Sequence, residues 1–493
     1  MRGRRRAPLR ALHVAAELYP WVKTGGLGDV MAALPPALVG QGVDARLCLP
    51  GFPALLDALS TSDAVRLPTP FASERVRVAL AYLPGSHVGA YLVDHPAFYD
   101  RPGSPYGSAD GREWPDNYRR FGLLSWVAAA LGQGADPNWR PDIVHAHDWH
   151  AGLTPAYLKA QLAPAAGVMP ASVMTAHNLM YAGYFPAGVF PELSLPGSFF
   201  GIDGVEFYGG VSFLKAGLAF ADRLTTVSPT YAEEIKTAEF GAGLDGLLRL
   251  RADVLTGILN GVDPMVWDPA NDPALPAPYG IDDADKGKAA AKAALRRRLY
   301  LAEANGPLFG VVSRLTPQKG LDLLLDAVPD LVGGGGQLAL LGNGDRGLEA
   351  GFAAAARAHH GRVGVEIGYD EALSRLIIAG SDVIVVPSRF EPCGLTQLYA
   401  LRYGALPLVR RTGGLADTVV DATAVRLRDK TATGFVFDEA SPGALVAALA
   451  RASALYADRR RWRQMMRTAM AQDFSWAQSA RQYVALYRQL VPS

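Results

Sequence analysis

The chain has 493 residues, of which 49% are hydrophobic and 19% charged, enough to bury large cores in two or three domains. Its 48 Lys and Arg residues nearly balance its 47 Asp and Glu residues, so no global field attracts nucleic acid or an anionic membrane. Its two cysteines, Cys48 and Cys393, are too few for a disulfide framework. We therefore expect a globular cytoplasmic protein that has neither nucleic acid nor a membrane as a partner.

The N-terminal segment is basic but lacks the features of a signal peptide. Arginines are frequent in the first ten residues, and the apolar stretch that follows is interrupted at Glu17. This interruption leaves no apolar run long enough for a secretory or membrane-spanning segment. We predict a frayed basic terminus before the first strand.

Short apolar runs alternate with longer Ala- and Leu-rich stretches at helical spacing in both halves of the chain. This alternation is typical of βαβ units and parallel sheets, and it predicts an α/β protein with two doubly wound, Rossmann-like domains. The predicted strands of the first half are Leu12–Ala16, Ala45–Leu49, Ile143–Ala146, Val173–Ala176 and Leu224–Val227. Those of the second half are Leu308–Val312, Leu338–Leu341, Val363–Ile367, Val383–Val386, Leu406–Val409 and Phe435–Phe437.

A segment rich in Asp-Pro pairs separates the two halves, between Asn260 and Ala304. It predicts a loop followed by a charged helix over Lys286–Leu299. The last periodic stretch, Trp476–Leu490, predicts an amphipathic helix that returns to the first domain. The expected divisions are residues 1–260, residues 261–472 and residues 473–493. Two doubly wound sheets that face each other form a cleft at the carboxyl ends of their strands, where open α/β sheets bind ligands.

Four segments are expected at these strand ends, and the first two belong to the first domain. The turn Lys23-Thr24-Gly25-Gly26-Leu27-Gly28-Asp29 follows the first strand and opens a helix. Its glycines let backbone amides approach a phosphate, and Lys23 adds a charge; a tight turn without a ligand is the alternative. The segment Thr175-Ala176-His177-Asn178 ends a strand, so His177 is either a capped core residue or a group at the ligand.

The third segment places Arg314 and Lys319 five residues apart, directly after the predicted strand Leu308–Val312. A leaving nucleoside diphosphate gains negative charge as a sugar–phosphate bond breaks, and without a metal fixed groups must hold that charge. The planar fork of Arg and the compact charge of Lys can bind different oxygens of one pyrophosphate. A solvated basic loop is the alternative without a function.

The fourth segment is Glu391-Pro392-Cys393-Gly394-Leu395-Thr396, another turn between a strand and a helix. We expect the amides of Gly394, Leu395 and Thr396 to lie on phosphate oxygens, because a helix start favours anions. Glu391 is then placed to hold sugar hydroxyls, with a lone surface carboxylate as the alternative.

Five motifs in this order resemble those of bacterial glycogen synthases and plant starch synthases. They are Lys-Thr-Gly-Gly-Leu at 23–27, His-Ala-His-Asp-Trp at 145–149, Asn-Gly-Val-Asp at 260–263, Ser-Arg-Leu-Thr-x-Gln-Lys-Gly at 313–320 and Glu-Pro-Cys-Gly-Leu-Thr-Gln at 391–397. The resemblance extends from about His13 to Leu490 and implies the GT-B glycosyltransferase fold. It also implies transfer of glucose from ADP-glucose to the non-reducing end of an α-1,4-glucan such as glycogen, with retention of configuration and without a metal or other cofactor.

The resemblance implies roles for particular residues. The expected catalytic residues are Glu391, His177, Asp148, Lys319 and Arg314. The expected binding residues are Lys23, Gly26, Asp29, Tyr99, Asn178, Asn260, Gly342, Tyr369, Cys393, Gly394, Leu395 and Thr396, with Tyr369 at the position that packs on the adenine. Related glycosyltransferases often carry a second Glu eight residues after the first, where this chain has Tyr399, so the usual ribose contact is left unassigned.

A metal site is one alternative. The segment His145-Ala146-His147-Asp148-Trp149-His150 resembles a metal-ligand cluster, because residues 145 and 147 share a strand face and further candidate ligands follow. The common metallohydrolase order instead puts Asp one place later, directly before the last His, and no further His/Asp cluster completes a second site. We therefore expect that the protein binds no metal ion.

An oxidoreductase is another alternative, because Gly342-Asn343-Gly344-Asp345-Arg346-Gly347 follows a strand and Glu366 lies about 20 residues further on. These glycines follow the second strand of their domain and not the first, which argues against an NAD(P)-dependent enzyme. Hydride transfer also gives no role to the Arg314 and Lys319 pair. A glycan-binding protein without catalysis is the third alternative.

Overall fold

The computed structural model describes residues 8–160 and 169–491. Within them the chain divides into two compact units: the first runs to Gly261 and includes the residues from Trp476 onward, and the second spans Val262–Ser475. Most of the predicted basic terminus, residues 1–7, lies outside the described residues. No helix in the described part of the chain is both long and apolar enough to span a membrane.

A largely parallel sheet forms the centre of the first unit. The strands of this unit are β1 (Arg10–Val14), β2 (Asp44–Pro50), β3 (Ser62–Thr69), β4 (Ala72–Tyr82), β5 (Gly89–Asp94), β6 (Ile143–His147), β7 (Ala171–Ala176), β8 (Tyr184–Pro186), β9 (Glu206–Phe207), β10 (Gly210–Ser212), β11 (Arg223–Thr226) and β12 (Leu255–Gly257). The main sheet has the order β12-β11-β7-β6-β1-β2-β5-β4-β3, and β8, β10 and β9 form a small antiparallel sheet. β1 and β6 are buried along almost their whole lengths, as expected for parallel strands covered on both faces.

Helices cover the main sheet of the first unit around one hydrophobic core. They are α1 (Gly26–Val39), α2 (Pro53–Ala58), α3 (Pro96–Tyr99), α4 (Asn117–Gly132), α5 (Leu153–Ala160), α6 (Phe213–Phe220), α7 (Pro229–Glu234) and α8 (Asp245–Leu250).

The second unit is a doubly wound parallel sheet. Its strands are β13 (Leu308–Val312), β14 (Gln337–Gly342), β15 (Val363–Ile367), β16 (Val383–Val386), β17 (Leu406–Arg410) and β18 (Phe435–Phe437), in the order β15-β14-β13-β16-β17-β18. Numbered within the unit this is 3-2-1-4-5-6, the order of a Rossmann domain. Its helices are α9 (Ala284–Arg298), α10 (Leu321–Gly333), α11 (Arg346–Ala358), α12 (Glu371–Gly380), α13 (Thr396–Arg402), α14 (Gly413–Thr418), α15 (Ala424–Arg428), α16 (Pro442–Ala457) and α17 (Arg459–Met470).

The C-terminal helix, α18 (Trp476–Leu490), belongs to the first unit and packs against α1. Tyr483 and Tyr487 of α18 are buried in the core of that unit. The Ser479 hydroxyl donates to the Leu259 carbonyl oxygen at 2.6 Å.

The predicted α/β class is confirmed, and each predicted strand agrees with an observed one to within about two residues at either end. The sequence analysis missed β3, β4, β5, β12 and the small antiparallel sheet. β3 and β4 are half-exposed antiparallel strands whose charged residues interrupt the apolar ones. A search for continuous apolar runs finds buried parallel strands and passes over such a hairpin.

Candidate active site

The second unit has a pocket at the point where its strand order reverses. β13 and β16 are neighbours in the sheet, with β14 beyond one and β17 beyond the other. Open α/β sheets bind ligands at the carboxyl ends of such strands, because the connections on the two sides diverge there. The pocket is lined by the ends of β13 and β16, by Lys319 and Glu391, and by residues 394–397.

Lys319 and Glu391 form an ion pair in this pocket. Lys319 Nζ lies 2.6 Å from Glu391 Oε2, and the Ser388 hydroxyl donates to the same oxygen at 2.9 Å. Glu391 is only 6% exposed, so a cation and a hydroxyl fix a carboxylate that is largely removed from water. Such a group is preorganised to accept hydrogen bonds from a ligand.

The turn at residues 391–396 requires glycine at position 394. Gly394 has a φ of +73°, and a Cβ there would lie 2.4 Å from Gln397 Oε1. The Gln397 amide donates to the carbonyl oxygens of Cys393 and Gly394 at 3.0 and 2.9 Å. The turn is therefore held by a side chain from the first residues of α13.

A second glycine turn, at the start of α14, packs against the segment that carries Glu391. The Gly414 N–H lies 3.2 Å from the Glu391 carbonyl oxygen and 3.1 Å from that of Pro392, and it donates to both. A Cβ at Gly413 would lie 2.0 Å from the Glu391 carbonyl oxygen. Glycine is needed at both positions, because any side chain would displace the segment that carries Glu391.

Arg314 is an available cation on a fixed loop. It is exposed, and within residues 8–160 and 169–491 its guanidinium makes no hydrogen bond or ion pair. The loop is fixed by the Leu315 N–H, which donates to the Asn343 carbonyl oxygen at 2.8 Å, and by the Asp345 N–H, which donates to that of Leu315 at 2.7 Å. Arg314 thus differs from Lys319, whose charge is already paired.

Gly342 and Tyr369 lie in adjoining turns. The Gly368 N–H donates to the Gly342 carbonyl oxygen at 3.1 Å, and the Asp370 carboxylate caps α12 by accepting from the Leu373 N–H at 2.9 Å. The Tyr369 side chain, between these anchors, is 80% exposed. A flat aromatic surface is therefore presented beside the end of β14.

Tyr399 packs inside the second unit. Its ring is stacked on Trp267 with centroids 3.6 Å apart and an angle of 9° between the planes, and the Arg375 guanidinium lies 4.4 Å from the Trp267 ring centroid. The position that often carries Glu in related glycosyltransferases is thus occupied here by a packed aromatic ring.

In the first unit, a buried carboxylate organises the glycine turn after β1. Glu17 is 3% exposed and accepts from the N–H groups of Thr24 and Gly25 at 2.9 and 3.2 Å. It also accepts from the hydroxyl groups of Thr24 and Tyr106. The amides of this turn are expected to face a phosphate, but those of Thr24 and Gly25 donate to Glu17 in this structure.

Lys23 and Gly26 lie in the exposed part of the same turn, residues 23–26. Lys23 Nζ pairs with Asp29 Oδ1 at 2.8 Å, and both side chains are partly solvated, so the pair is weak and can exchange partners. Lys23 is therefore able to turn to an anionic ligand at little cost.

Asp148 follows β6 directly and holds the strand end that carries His177. Its Oδ1 accepts from the backbone N–H groups of His177 and Asn178 at 2.7 and 3.4 Å, and its own N–H donates to the Thr175 carbonyl oxygen at 2.9 Å. Its φ of +55° is uncommon for a residue with a side chain. Burial raises the pKa of this carboxyl from 3.8 to about 7.

The raised pKa predicts how Asp148→Asn changes stability with pH. A carboxyl whose pKa rises on folding binds its proton more tightly in the folded protein, so its contribution to stability is complete below pH 3.8 and is lost as the pH rises to about 7. Asn keeps the Oδ1 acceptor but does not titrate. Relative to wild type, the variant should gain free energy of unfolding as the pH rises through this range and then level off.

Urea unfolding at a series of pH values measures this gain. Asp142→Asn, which changes a carboxylate that accepts from the Arg10 N–H before β6, is the matched control. A gain for Asp148→Asn that does not vary with pH would contradict the raised pKa.

Three histidines of β1 and β6 lie together in the first unit's core. Nitrogen atoms of His13, His145 and His147 all lie within 4.8 Å of one another, so the cluster includes His13 in place of the Asp148 considered from the sequence. His13 Nδ1 lies 3.0 Å from His147 Nε2, and His145 lies 2.6 Å from the hydroxyl groups of Tyr487 and Thr175. A metal ion would have to displace these hydrogen bonds.

Four of the predicted binding residues are buried, and two of them, Tyr99 and Asn260, belong to the first unit. Tyr99 is 1% exposed, and its hydroxyl donates to the Arg120 carbonyl oxygen at 2.6 Å. Asn260, after β12, is 8% exposed. The ring of Tyr99 fills the core, beside Phe52, where it supports neighbouring segments of the first unit.

The sequence analysis missed Glu17, Ser388 and the turn at Gly413 and Gly414. One signal was available for the turn: residues 411–417 repeat the pattern basic-Thr-Gly-Gly-Leu-x-Asp of residues 23–29. Both copies lie at the start of a helix, α1 in the first unit and α14 in the second. Comparing the two halves of the chain with each other would have found it.

Comparisons with known proteins agree with these features. The starch synthase catalytic domain family matches residues 10–250, and the glycosyl transferases group 1 family matches residues 296–468. Glycogen synthase from Francisella tularensis subsp. holarctica is 51% identical over 485 residues, covering 98% of this chain and 99% of that protein. Glycogen synthase from Francisella philomiragia is also 51% identical, over 98% of this chain and 100% of that protein.

Solved structures give the same result. The catalytic domain of starch synthase IV from Arabidopsis thaliana, bound to ADP and acarbose, is similar with a TM-score of 0.85 and 34% identity over 98% of this chain and 99% of that one. Sucrose-phosphate synthase from Thermosynechococcus elongatus shares the fold, with a TM-score of 0.59 and 18% identity over 98% of this chain and 99% of that one. The chain therefore belongs to the glycogen synthase and starch synthase family of glycosyltransferases, which have the GT-B fold of two Rossmann-like domains.

Proposed function

We propose that this glycosyltransferase transfers glucose from ADP-glucose to the non-reducing end of an α-1,4-glucan, with retention of configuration. The observation that carries the proposal is the Lys319–Glu391 pair in a pocket at the strand-order reversal of the second unit. The names of the Francisella relatives and the ADP in the Arabidopsis starch synthase structure support it.

The second unit supplies the groups that bind the donor. Arg314 and Lys319 bind the pyrophosphate, and the amides of residues 394–396 at the pocket wall add further donors. Tyr369 stacks on the adenine beside Gly342, which its exposed ring suits. Together these groups hold the charge that develops on the leaving ADP.

Glu391 binds hydroxyl groups of the glucose and stabilises positive charge that develops on its ring. The acceptor hydroxyl attacks the anomeric carbon from the side that ADP leaves. The bond from this carbon to the phosphate oxygen breaks as the new glycosidic bond forms, and the acceptor's proton passes to the departing phosphate oxygen. This path retains configuration without an enzyme nucleophile.

The first unit contributes Lys23, Asp29, Asp148, His177 and Asn178 in this proposal. Burial lowers the pKa of His177 to about 3, so the ring is neutral at physiological pH and can exchange a hydrogen bond with a sugar hydroxyl. Asp148 positions the His177 backbone. Lys23 adds a cation for the donor, and Asn260 supports the end of this unit.

A donor panel tests the proposed function. The purified protein is given glycogen with ADP-glucose or UDP-glucose, and nucleotide release and glucose incorporation are both measured. We expect glucose to be incorporated from ADP-glucose in an amount equal to the ADP released. An α-1,4-specific amylase should then digest the product. Incorporation from UDP-glucose alone, or ADP release without incorporation, would contradict the proposal.

Activity is expected to survive chelation of divalent metal ions. Arg314, Lys319 and the backbone amides can neutralise a pyrophosphate, so the reaction has no step that requires a metal. The measurement is glucose incorporation before and after treatment with EDTA. Activity lost in EDTA and restored by added zinc or manganese would instead indicate a metal site at His13, His145 and His147.

A further inference from the structure

A continuous hydrogen-bonded chain links α18 to His177 within the first unit. Tyr487 Oη lies 3.4 Å from His13 Nε2, and His13 Nδ1 lies 3.0 Å from His147 Nε2. His147 Nδ1 then lies 2.9 Å from His177 Nε2. On the other side, Tyr487 Oη lies 2.6 Å from His145 Nδ1. Apart from His177, which is partly buried, these side chains are fully buried.

His145 continues the chain to two buried threonines. Its Nε2 lies 2.6 Å from Thr175 Oγ1, which is hydrogen-bonded to Thr225 Oγ1. Burial lowers the pKa of His13, His145, His147 and His177 far below neutrality, so each ring carries one proton and can donate from only one nitrogen.

These constraints leave only two arrangements of the protons. Each contact between two histidines needs one donor and one acceptor, so His13, His147 and His177 must all donate in the same direction. If Tyr487 donates to His13, then His13 donates to His147 and His147 donates to His177 Nε2, so the proton of His177 is on Nδ1. If Tyr487 donates to His145, His13 donates to Tyr487, and His177 carries its proton on Nε2.

The distances favour the second arrangement. The Tyr487 hydroxyl is much closer to His145 Nδ1 than to His13 Nε2, and a phenol is a stronger donor than acceptor. His145 Nε2 then donates to Thr175. The free lone pair of His177 is consequently on Nδ1, the nitrogen that does not contact His147.

We propose that Tyr487 is a positioning residue that selects the tautomer of His177 through His13 and His147. A neutral histidine can accept a hydrogen bond from a sugar hydroxyl only at the nitrogen that lacks a proton. Tyr487 therefore makes His177 Nδ1 an acceptor. The statement about the tautomer rests on the hydrogen-bond geometry and on the neutrality of the buried rings, whereas its effect on turnover rests on the proposed function.

Tyr487→Phe tests the tautomer directly. The protein carries nine histidines and is labelled with ¹⁵N-histidine, and the signals of His177 are assigned by their loss in His177→Gln. Above neutral pH, ¹⁵N shifts report which ring nitrogen carries the proton. We expect the Nε2-protonated form in the wild type and a mixture of the two forms in Tyr487→Phe. An unchanged His177 in folded Tyr487→Phe overturns the proposal.

Tyr157→Phe is the matched control. It also removes one buried hydroxyl from the first unit, which donates to the Leu193 carbonyl oxygen at 2.8 Å, but it lies outside the chain of histidines. We expect its His177 signals to match the wild type. The same shift in both variants would mean a general loss of packing and would overturn the proposal.

Thr175→Val provides a second, opposite test. It removes the acceptor from His145 Nε2 while keeping the shape of the side chain. An unpaired buried N–H is costly, so His145 should move its proton to Nδ1 and donate to Tyr487. Tyr487 would then donate to His13, and His177 should switch to the Nδ1-protonated form. Retention of the Nε2 form in Thr175→Val contradicts the proposal, and this test holds even if Tyr487→Phe fails to fold.

Steady-state kinetics test whether the tautomer of His177 affects kcat. The fraction of His177 in the Nδ1-protonated form loses its hydrogen bond to the sugar hydroxyl, so kcat should fall by up to about tenfold in Tyr487→Phe. No further loss is expected when His13→Phe has already broken the chain. Additive losses would contradict action through His13. A changed tautomer without a change in kcat would support the hydrogen-bonded chain from Tyr487 to His177. It would contradict the role of His177 in the proposed function.

Discussion

Replacing Glu391 by Gln is expected to lower kcat by about 10²- to 10³-fold while donor binding persists. Gln keeps an acceptor oxygen for the sugar, but it removes the charge that stabilises the developing cation and that pairs with Lys319 at 2.6 Å. Steady-state kinetics with glycogen and a calorimetric titration of donor binding separate the two effects. Near-normal turnover would remove Glu391 from the mechanism.

Glu366→Gln is the matched control. It makes the same substitution in the same unit, on a partly exposed carboxylate whose partner is Arg298 at 3.2 Å. Its kinetics should equal those of the wild type, because the ion pair lies near the surface and outside the pocket.

No covalent intermediate should form at Glu391. Its Oε2 already accepts from Lys319 and Ser388, and the side chain is nearly buried, so the carboxylate is bound as a positioned acceptor and not presented as a nucleophile. Mass spectrometry of protein incubated with a slow fluorinated donor examines this. A glucosyl mass on the peptide that contains Glu391 would show a double-displacement mechanism instead.

Removing either phosphate cation is expected to lower turnover by roughly 10²- to 10³-fold. The structure distinguishes the effects of the two substitutions on stability. Arg314→Ala removes an exposed side chain and should leave thermal unfolding unchanged. Lys319→Ala leaves the nearly buried Glu391 carboxylate without its cation, so it should also lower the free energy of unfolding, by about 1–3 kcal/mol.

Lys286→Ala, on the exposed surface of α9, controls for the loss of one positive charge. Kinetics and thermal unfolding of the three variants are measured together. Normal turnover in Arg314→Ala or Lys319→Ala, compared with Lys286→Ala, would contradict the assignment of these cations to the pyrophosphate.

The second unit was more predictable from sequence than the first. Its parallel strands are buried on both faces, so each appears as an apolar run, and β13, β15, β16 and β18 match their predicted bounds. The pocket follows from the Rossmann strand order, since Arg314, Lys319 and Glu391 all follow strands at the reversal. Local sequence therefore identified the strands and these three residues, although it did not identify Ser388 or the turn at Gly413 and Gly414.

The first unit depends on contacts between residues far apart in the chain. Glu17 binds the glycine turn and Tyr106, and Tyr487 meets His13 and His145. No spacing motif links these residues, so a search along the sequence could not find them. Tyr99 was identified by resemblance, yet its burial depends on the packing of α3, which local sequence does not specify.

The family relationship also argues against the oxidoreductase alternative. Glu366, the acidic residue of the dinucleotide pattern, pairs with Arg298. The family relationship accounts for the glycines at 342–347 as a turn of a glycosyltransferase. The alternative of glycan binding without catalysis has no support from these relatives.

The membership of α18 in the first unit has a consequence for synthesis on the ribosome. The chain leaves the first unit at Gly261 and returns at Trp476, so the second unit is an insertion within the first. Domains fold as units while the chain emerges, but the core of the first unit includes Tyr483 and Tyr487, which are made after the whole second unit. The unit that begins first is therefore completed only after the second unit has been made, and its histidine chain closes only once α18 has emerged.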